Sequence, residues 1–262
     1  MKTIAPVYHV RNCAVPPSLS VDWNDPAWYP AETLEIKNFR PESSAHRPQT
    51  FARLLHDVSG LHGIFLARDR YVRCTRQNYF DDVWKDSCVE FFVQPKKDSG
   101  YFNFEFNCGG AHLCNYITDW RLKDGWFTQA TKLPSATGLK IRVKSSLPRN
   151  VDPELTEPTD WALQFFIPFN VLKEYVGTLG DLRGQCWRGN FFKCAEEVSH
   201  PHWAAWSPVD ELNFHLPRCF GALRFENRAQ RHSALSQSKI LERFRKLHSR
   251  RGDGVRLSTK NL

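Results

Sequence analysis

The sequence has one methionine, Met1, so no thioether is available inside the chain as a ligand. It has no run of about 20 apolar residues, which excludes a membrane-spanning helix on hydropathy. Its first residues, MKTIAPVYHVRNCAVPPSLS, contain no continuous apolar stretch of the kind a secretory leader needs. As written, the chain is expected in the cytoplasm, or secreted or periplasmic if a leader has been removed. None of the eight cysteines forms a C-x-x-C pair, which argues against a zinc ribbon or a thioredoxin-type motif. A chain of this size does not need a disulfide framework, so the cysteines read as free thiols acting as small hydrophobes. Internal repeats are absent.

What is abundant is aromatic. Nineteen Phe, nine Trp and seven Tyr suit β-structure, because such side chains pack well on a pleated surface. The formal charge is +8, and residues 226–262 hold ten Lys/Arg against three Asp/Glu. The rest of the chain is therefore nearly neutral, and nothing in its charge suggests nucleic-acid binding. Two regions are expected, a body over 1–227 and a basic helical or flexible tail over 228–262. Within the tail, Leu235, Ile240, Leu241, Phe244 and Leu247 have helical spacing with a basic opposite face, a surface that an acidic partner would fit.

The body reads as short strands separated by turns: 50–57, 61–69, 89–94, 101–110, 138–147, 160–169, 186–197 and 220–226, with one short helix over 170–176. This pattern predicts an all-β fold, a two-sheet antiparallel β-sandwich. In YFNFEFNC, Phe102, Phe104, Phe106 and Cys108 take one face, and Tyr101, Asn103, Glu105 and Asn107 the other. In VWKDSCVEFFVQP, Val89, Phe91 and Val93 mark the core face. If the chain is extended from Trp84 onward, strand parity sets Trp84, Asp86, Glu90 and Phe92 on the opposite face. An aromatic plate ringed by carboxylates and amides suits a sugar, whose C–H face stacks on a ring while its hydroxyls need fixed donors and acceptors. A second aromatic cluster, HPHWAAWSPVDELNFHLPRCFG, is too rich in proline for a helix. Its Trp203, Trp206 and Phe214 are candidates for the facing wall. His200, His202 and His215 have weak spacing for a metal site.

W-K-D-S-C-V-E-F-F, Y-F-N-F-E-F-N, I-P-F, W-R-G-N-F-F-K, W-S-P and N-F-H-L-P-x-x-F-G-x-L-x-F occur in this order over most of residues 20–226. Together they resemble the family 9 carbohydrate-binding modules and their stand-alone relatives. The resemblance implies a DOMON-like β-sandwich with a slot in which two aromatic side chains hold a terminal sugar. It maps one aromatic and one carboxylate onto Trp84 and Glu90, and the second aromatic onto Phe214, where xylanase-attached modules carry Trp. Glu105 stands where a basic side chain is expected. The ligand-binding set expected here is Trp84, Glu90, Glu105, Asn107, Lys193, Trp206, Phe214 and His215, taking a mono- or oligosaccharide. The family also binds structural calcium, and no convincing carboxylate ligand set maps onto this sequence.

Three alternatives follow. Paired carboxylates are usual glycosidase equipment, so Glu90 and Glu105 could serve a sugar-active enzyme. Related DOMON-like sandwiches can bind haem, but methionine ligation within the body is ruled out here. The fold could also be a repurposed interaction domain.

Overall fold

The computed structural model describes residues 5–123 and 126–226. The basic tail over 228–262, with its expected helix, lies outside the described residues. The strands are β1 (Val7–Asn12), β2 (Leu34–Ile36), β3 (Asn38–Phe39), β4 (Gln49–His56), β5 (Gly60–Asp69), β6 (Val72–Cys74), β7 (Cys88–Gln94), β8 (Tyr101–Asn107), β9 (His112–Lys123), β10 (Trp126–Lys132), β11 (Arg142–Ser145), β12 (Val151–Leu155), β13 (Thr159–Pro168), β14 (Cys186–Ala195), β15 (His202–Ala205) and β16 (Gly221–Phe225). Two short helices, α1 (Ser135–Gly138) and α2 (Phe169–Val176), interrupt them. No helix among the described residues is long and apolar enough to cross a membrane.

The fold is mostly β, as expected, and consistent with a sandwich. One hydrogen-bonded path runs β10-β9-β8-β7-β14-β16-β1-β4-β5-β13-β11. The two layers are thus joined, through β1, whose first half pairs with β16 and whose last residues pair with β4. Both β1 pairings are parallel; the other ladders are antiparallel. The stretch 138–147 is strand only over Arg142–Ser145, since α1 occupies its start. The β9–β10 hairpin was not expected from the sequence. Its strands mix Thr, Asp, Arg and Gln with aromatics and lack the clean alternation that marks β8.

Rings from the two ends of this path meet in the core. Phe106 stacks on Phe165 at 5.2 Å, Phe91 on Phe165 at 5.8 Å, and Phe65 meets Phe191 at 6.1 Å. The predicted core face of β8 is wholly buried. Approach is so close that a Cβ at Gly63 would strike the Phe165 ring. Filling one face of β7, β8 and β14 with these side chains leaves their other face to build a site.

Candidate functional site

Strands β7, β8 and β14 lie side by side, with Glu90 directly opposite Glu105 on one flank and Phe192 on the other. Residues that alternate with the core phenylalanines form the floor of a cavity of about 490 Å³. Glu90, Asn103, Glu105 and Cys194 make that floor, and Glu196 sits at its edge. The walls are half-buried aromatics: Phe80, Trp84, Trp120, Phe127, Trp203 and Phe214.

The floor is polar and buried. Asn103 Nδ2 donates to Glu105 Oε1 at 2.7 Å, while Asn103 Oδ1 accepts from the Asn115 backbone N–H at 2.7 Å. Glu105 Oε2 is buried without a hydrogen-bond partner among the described residues. Cys194 Sγ donates to Glu90 Oε1 at 3.2 Å. Burial pushes the Glu105 carboxyl up to about 7. Burial also holds Glu90 well above the usual carboxylate range, and the neighbouring Cys194 and Glu105 add to the effect.

The walls are set by local contacts. Phe214 stacks on Phe192 at 4.1 Å and 15°. Trp203 Nε1 donates to Glu196 Oε1 at 3.1 Å. His215 Nδ1 lies 2.8 Å from the Tyr101 hydroxyl, with its ring 4.8 Å from Phe92 and 4.5 Å from Phe127. That enclosure lowers the imidazole pKa to about 3, so the ring is neutral at ordinary pH.

Of the expected residues, Trp84, Glu90, Glu105, Phe214 and His215 line this cavity. Trp84 reaches it by a route other than strand parity. It sits on a 3-10 turn over Val83–Lys85, and β7 begins only at Cys88. Asp86 does not share the polar face. It is buried and paired with Arg76 at 2.9 Å.

The other three expected residues lie outside this cavity. Asn107 is buried outside the cavity, where its Nδ2 donates to Asp86 Oδ2 at 2.8 Å and to the Arg76 carbonyl at 2.7 Å, and its Oδ1 accepts from the Ala111 N–H. It braces the β8–β9 turn against the segment that carries Trp84. Lys193 lies on the core side of β14, fully buried, with Nζ 3.2 Å from Asp69 Oδ2 and 2.7 Å from His202 Nε2. Burial opposes ionisation of Asp69, but Lys193 and His46 outweigh it and hold the carboxyl well below its usual range. Trp206 packs edge-on against Phe191 at 5.9 Å and lines a separate groove with Tyr8 and Glu32. It does not face Trp84.

The three histidines do not converge. His200 stacks on Tyr71 at 3.7 Å, His202 belongs to the Lys193 network, and His215 to the cavity. Among the described residues, the metal-like grouping of donor atoms is Cys88, Glu90 and Cys194. Two thiols do not suit calcium, which takes oxygen ligands.

Phe80, Trp120, Phe127, Asn115 and Glu196 line the cavity and were not singled out in the sequence. Trp120 and Phe127 come from the unexpected hairpin. Phe80 has a φ of 73°, rare for a bulky residue, and no sequence signal announces that conformation.

No curated protein matches this chain. Among solved structures, a candidate carbohydrate-binding protein from Bacteroides uniformis matches with a TM-score of 0.73 at 24% identity, over 85% of this chain and 100% of that one. A family 9 carbohydrate-binding module from Caldicellulosiruptor kristjanssonii, solved with glucose, matches with a TM-score of 0.57 at 12% identity, over 85% and 97% of the two chains. The same kind of module from that organism, solved with cellotriose, gives 0.54 at 13% identity, over 85% and 95%. At these identities the structures speak for the fold. The family model described as carbohydrate-binding family 9 matches residues 28–225, and the chain therefore belongs to that family.

Proposed function

We propose that the body of this chain is a non-catalytic carbohydrate-binding module of DOMON-like sandwich form, and that its cavity holds a terminal sugar. The observation that carries this reading is the cavity itself: an aromatic wall that includes Trp84 and Phe214 over a floor of Glu90, Asn103 and Glu105. Ring faces suit the C–H side of a sugar. The carboxylates, and the amides of Asn103 and Asn115, suit its hydroxyls. Glucose and cellotriose occupy the two related modules named above, which makes glucose-type sugars the first ligands to try. One sugar offers few contacts, so affinity in roughly the micromolar to millimolar range is expected.

A glycosidase reading draws on Glu90 and Glu105, which are opposite one another in register. Hydrolysis needs carboxyls flanking the scissile bond, one of them ionised. Here both stand side by side on one floor, and burial favours the neutral form of each. Binding is the better-supported use.

The test is calorimetric titration of mono- and oligosaccharides into the wild type and Trp84→Ala. Binding that disappears in a folded Trp84→Ala variant is the expected result. Absence of binding by the wild type to every sugar, or turnover of a glycoside that is lost in Glu90→Gln, would replace this reading.

A further inference from the structure

The charge balance of the cavity is one-sided. Glu90, Glu105 and Glu196 line it, and none of the three has an ion-pair partner within 4 Å among the described residues. A fourth acid, Asp82, is answered by Lys85 at 3.1 Å. The nearby described cations are held against the walls. Lys85 Nζ lies 5.1 Å from the Trp84 ring centroid, Lys132 Nζ 3.6 Å from that of Phe80, and the Arg218 guanidinium, paired with Asp210 and Glu211, 5.8 Å from that of Trp120. No described Lys or Arg side chain lines the cavity. Glu105, only 4% exposed, keeps Oε2 without a partner.

A neutral hydroxyl can bond to that oxygen while the acids stay protonated, but only a cation offsets the charge the pair takes on when it ionises, and burying such a charge unpaired is costly. A ligand ammonium does both. It brings donors to Glu105 Oε2 and cancels charge shared with Glu90. The walls suit the same ligand, because Trp84, Trp120 and Trp203 line the cavity and indole rings attract cations, as Lys85 over Trp84 and Arg218 over Trp120 already show.

We infer that the cavity is selective for a sugar bearing a free amine, a glucosamine-type residue, whose ammonium is received by Glu105 and Glu90 between the tryptophan walls. The inference rests on the sugar-binding reading and specifies its ligand class. Burial holds protons on both carboxyls in the free site, so an ammonium that binds there should release them.

The experiment is calorimetry at neutral pH with glucose, glucosamine, N-acetylglucosamine and the β1,4-linked glucosamine dimer. Glucosamine is expected to bind roughly ten- to a hundredfold more tightly than glucose, the range of a charge-assisted hydrogen bond. Acetylation of the amine should remove that gain, added salt should weaken glucosamine more than glucose, and Glu105→Gln should shrink the glucosamine-to-glucose ratio. Equal binding of glucose and glucosamine by the wild type, both lost in Trp84→Ala, overturns the amine preference and leaves the sugar site standing. If no sugar binds, amine or not, both readings fall together. The wild-type ratio alone decides the matter should Glu105→Gln fail to fold.

Discussion

Glu90 on β7 stands directly opposite Glu105 on β8, and both carboxyls are buried on the floor of an aromatic cavity. Like charges directly opposite across a ladder destabilise a sheet. The pair is tolerated because protons can stay on the acids. Several measurable consequences follow from this pair and the groups around it.

Stability should depend on pH through Glu105. The native state holds its proton up to about pH 7, whereas the unfolded chain releases it near the ordinary value of 4.5. The contribution is therefore complete below about 4.5 and is lost as pH rises toward 7. Denaturant titrations at the two ends of this window should differ by on the order of 1–3 kcal/mol more for the wild type than for Glu105→Gln. Asp69 acts in the opposite direction: its stabilisation is present above its ordinary value of 3.8 and lost as pH falls below it. An identical pH profile for wild type and Glu105→Gln would show that this carboxyl is not held protonated.

Lys193→Met should reduce stability by about 3–5 kcal/mol, because it takes the buried ammonium from Asp69 and leaves that carboxylate only His46, the Trp161 indole N–H and the Arg70 N–H. Chemical denaturation reads the change. If Lys193 instead served the sugar, the variant would lose affinity at unchanged stability.

Phe214→Ala and Trp206→Ala should separate cleanly. Phe214 lines the cavity, so its removal should weaken sugar binding about five- to tenfold. Trp206 packs on Phe191, so its removal should reduce stability by about 2–4 kcal/mol and leave sugar affinity alone. Titrations and melts on both variants check this, and a binding defect in Trp206→Ala would contradict the geometry.

Asn107→Ala should affect both properties. It removes three buried hydrogen bonds and leaves Asp86 and the Ala111 N–H short of partners, a loss of about 2–3 kcal/mol. Because Asp86 closes the turn that carries Trp84, sugar affinity should fall a few-fold as well. Unchanged affinity in the folded variant would mean that the turn holds Trp84 without this brace.

Much of this was legible in the chain. Alternation in YFNFEFNC separates Phe102, Phe104 and Phe106 from Asn103 and Glu105, and both faces fall where parity puts them. The core side of Lys193 was legible too, since it shares parity with Trp187 and Phe191, both buried. Trp84 lines the cavity, but not by strand parity, because the chain before Cys88 turns instead of extending.

Local alternation and motif order, which depend only on neighbours along the chain, determined most of the strands, the core faces, the family and the acidic floor. Which polar face became a cavity was decided in three dimensions. The cavity exists because β7, β8 and β14, distant in sequence, align in one register, and because a 3-10 turn, the β9–β10 hairpin and the 200–220 loop raise aromatic walls around the floor they share. Long-range register and turn geometry depend on how the whole core packs, so a sequence read one strand at a time cannot place Asn107 or Trp206.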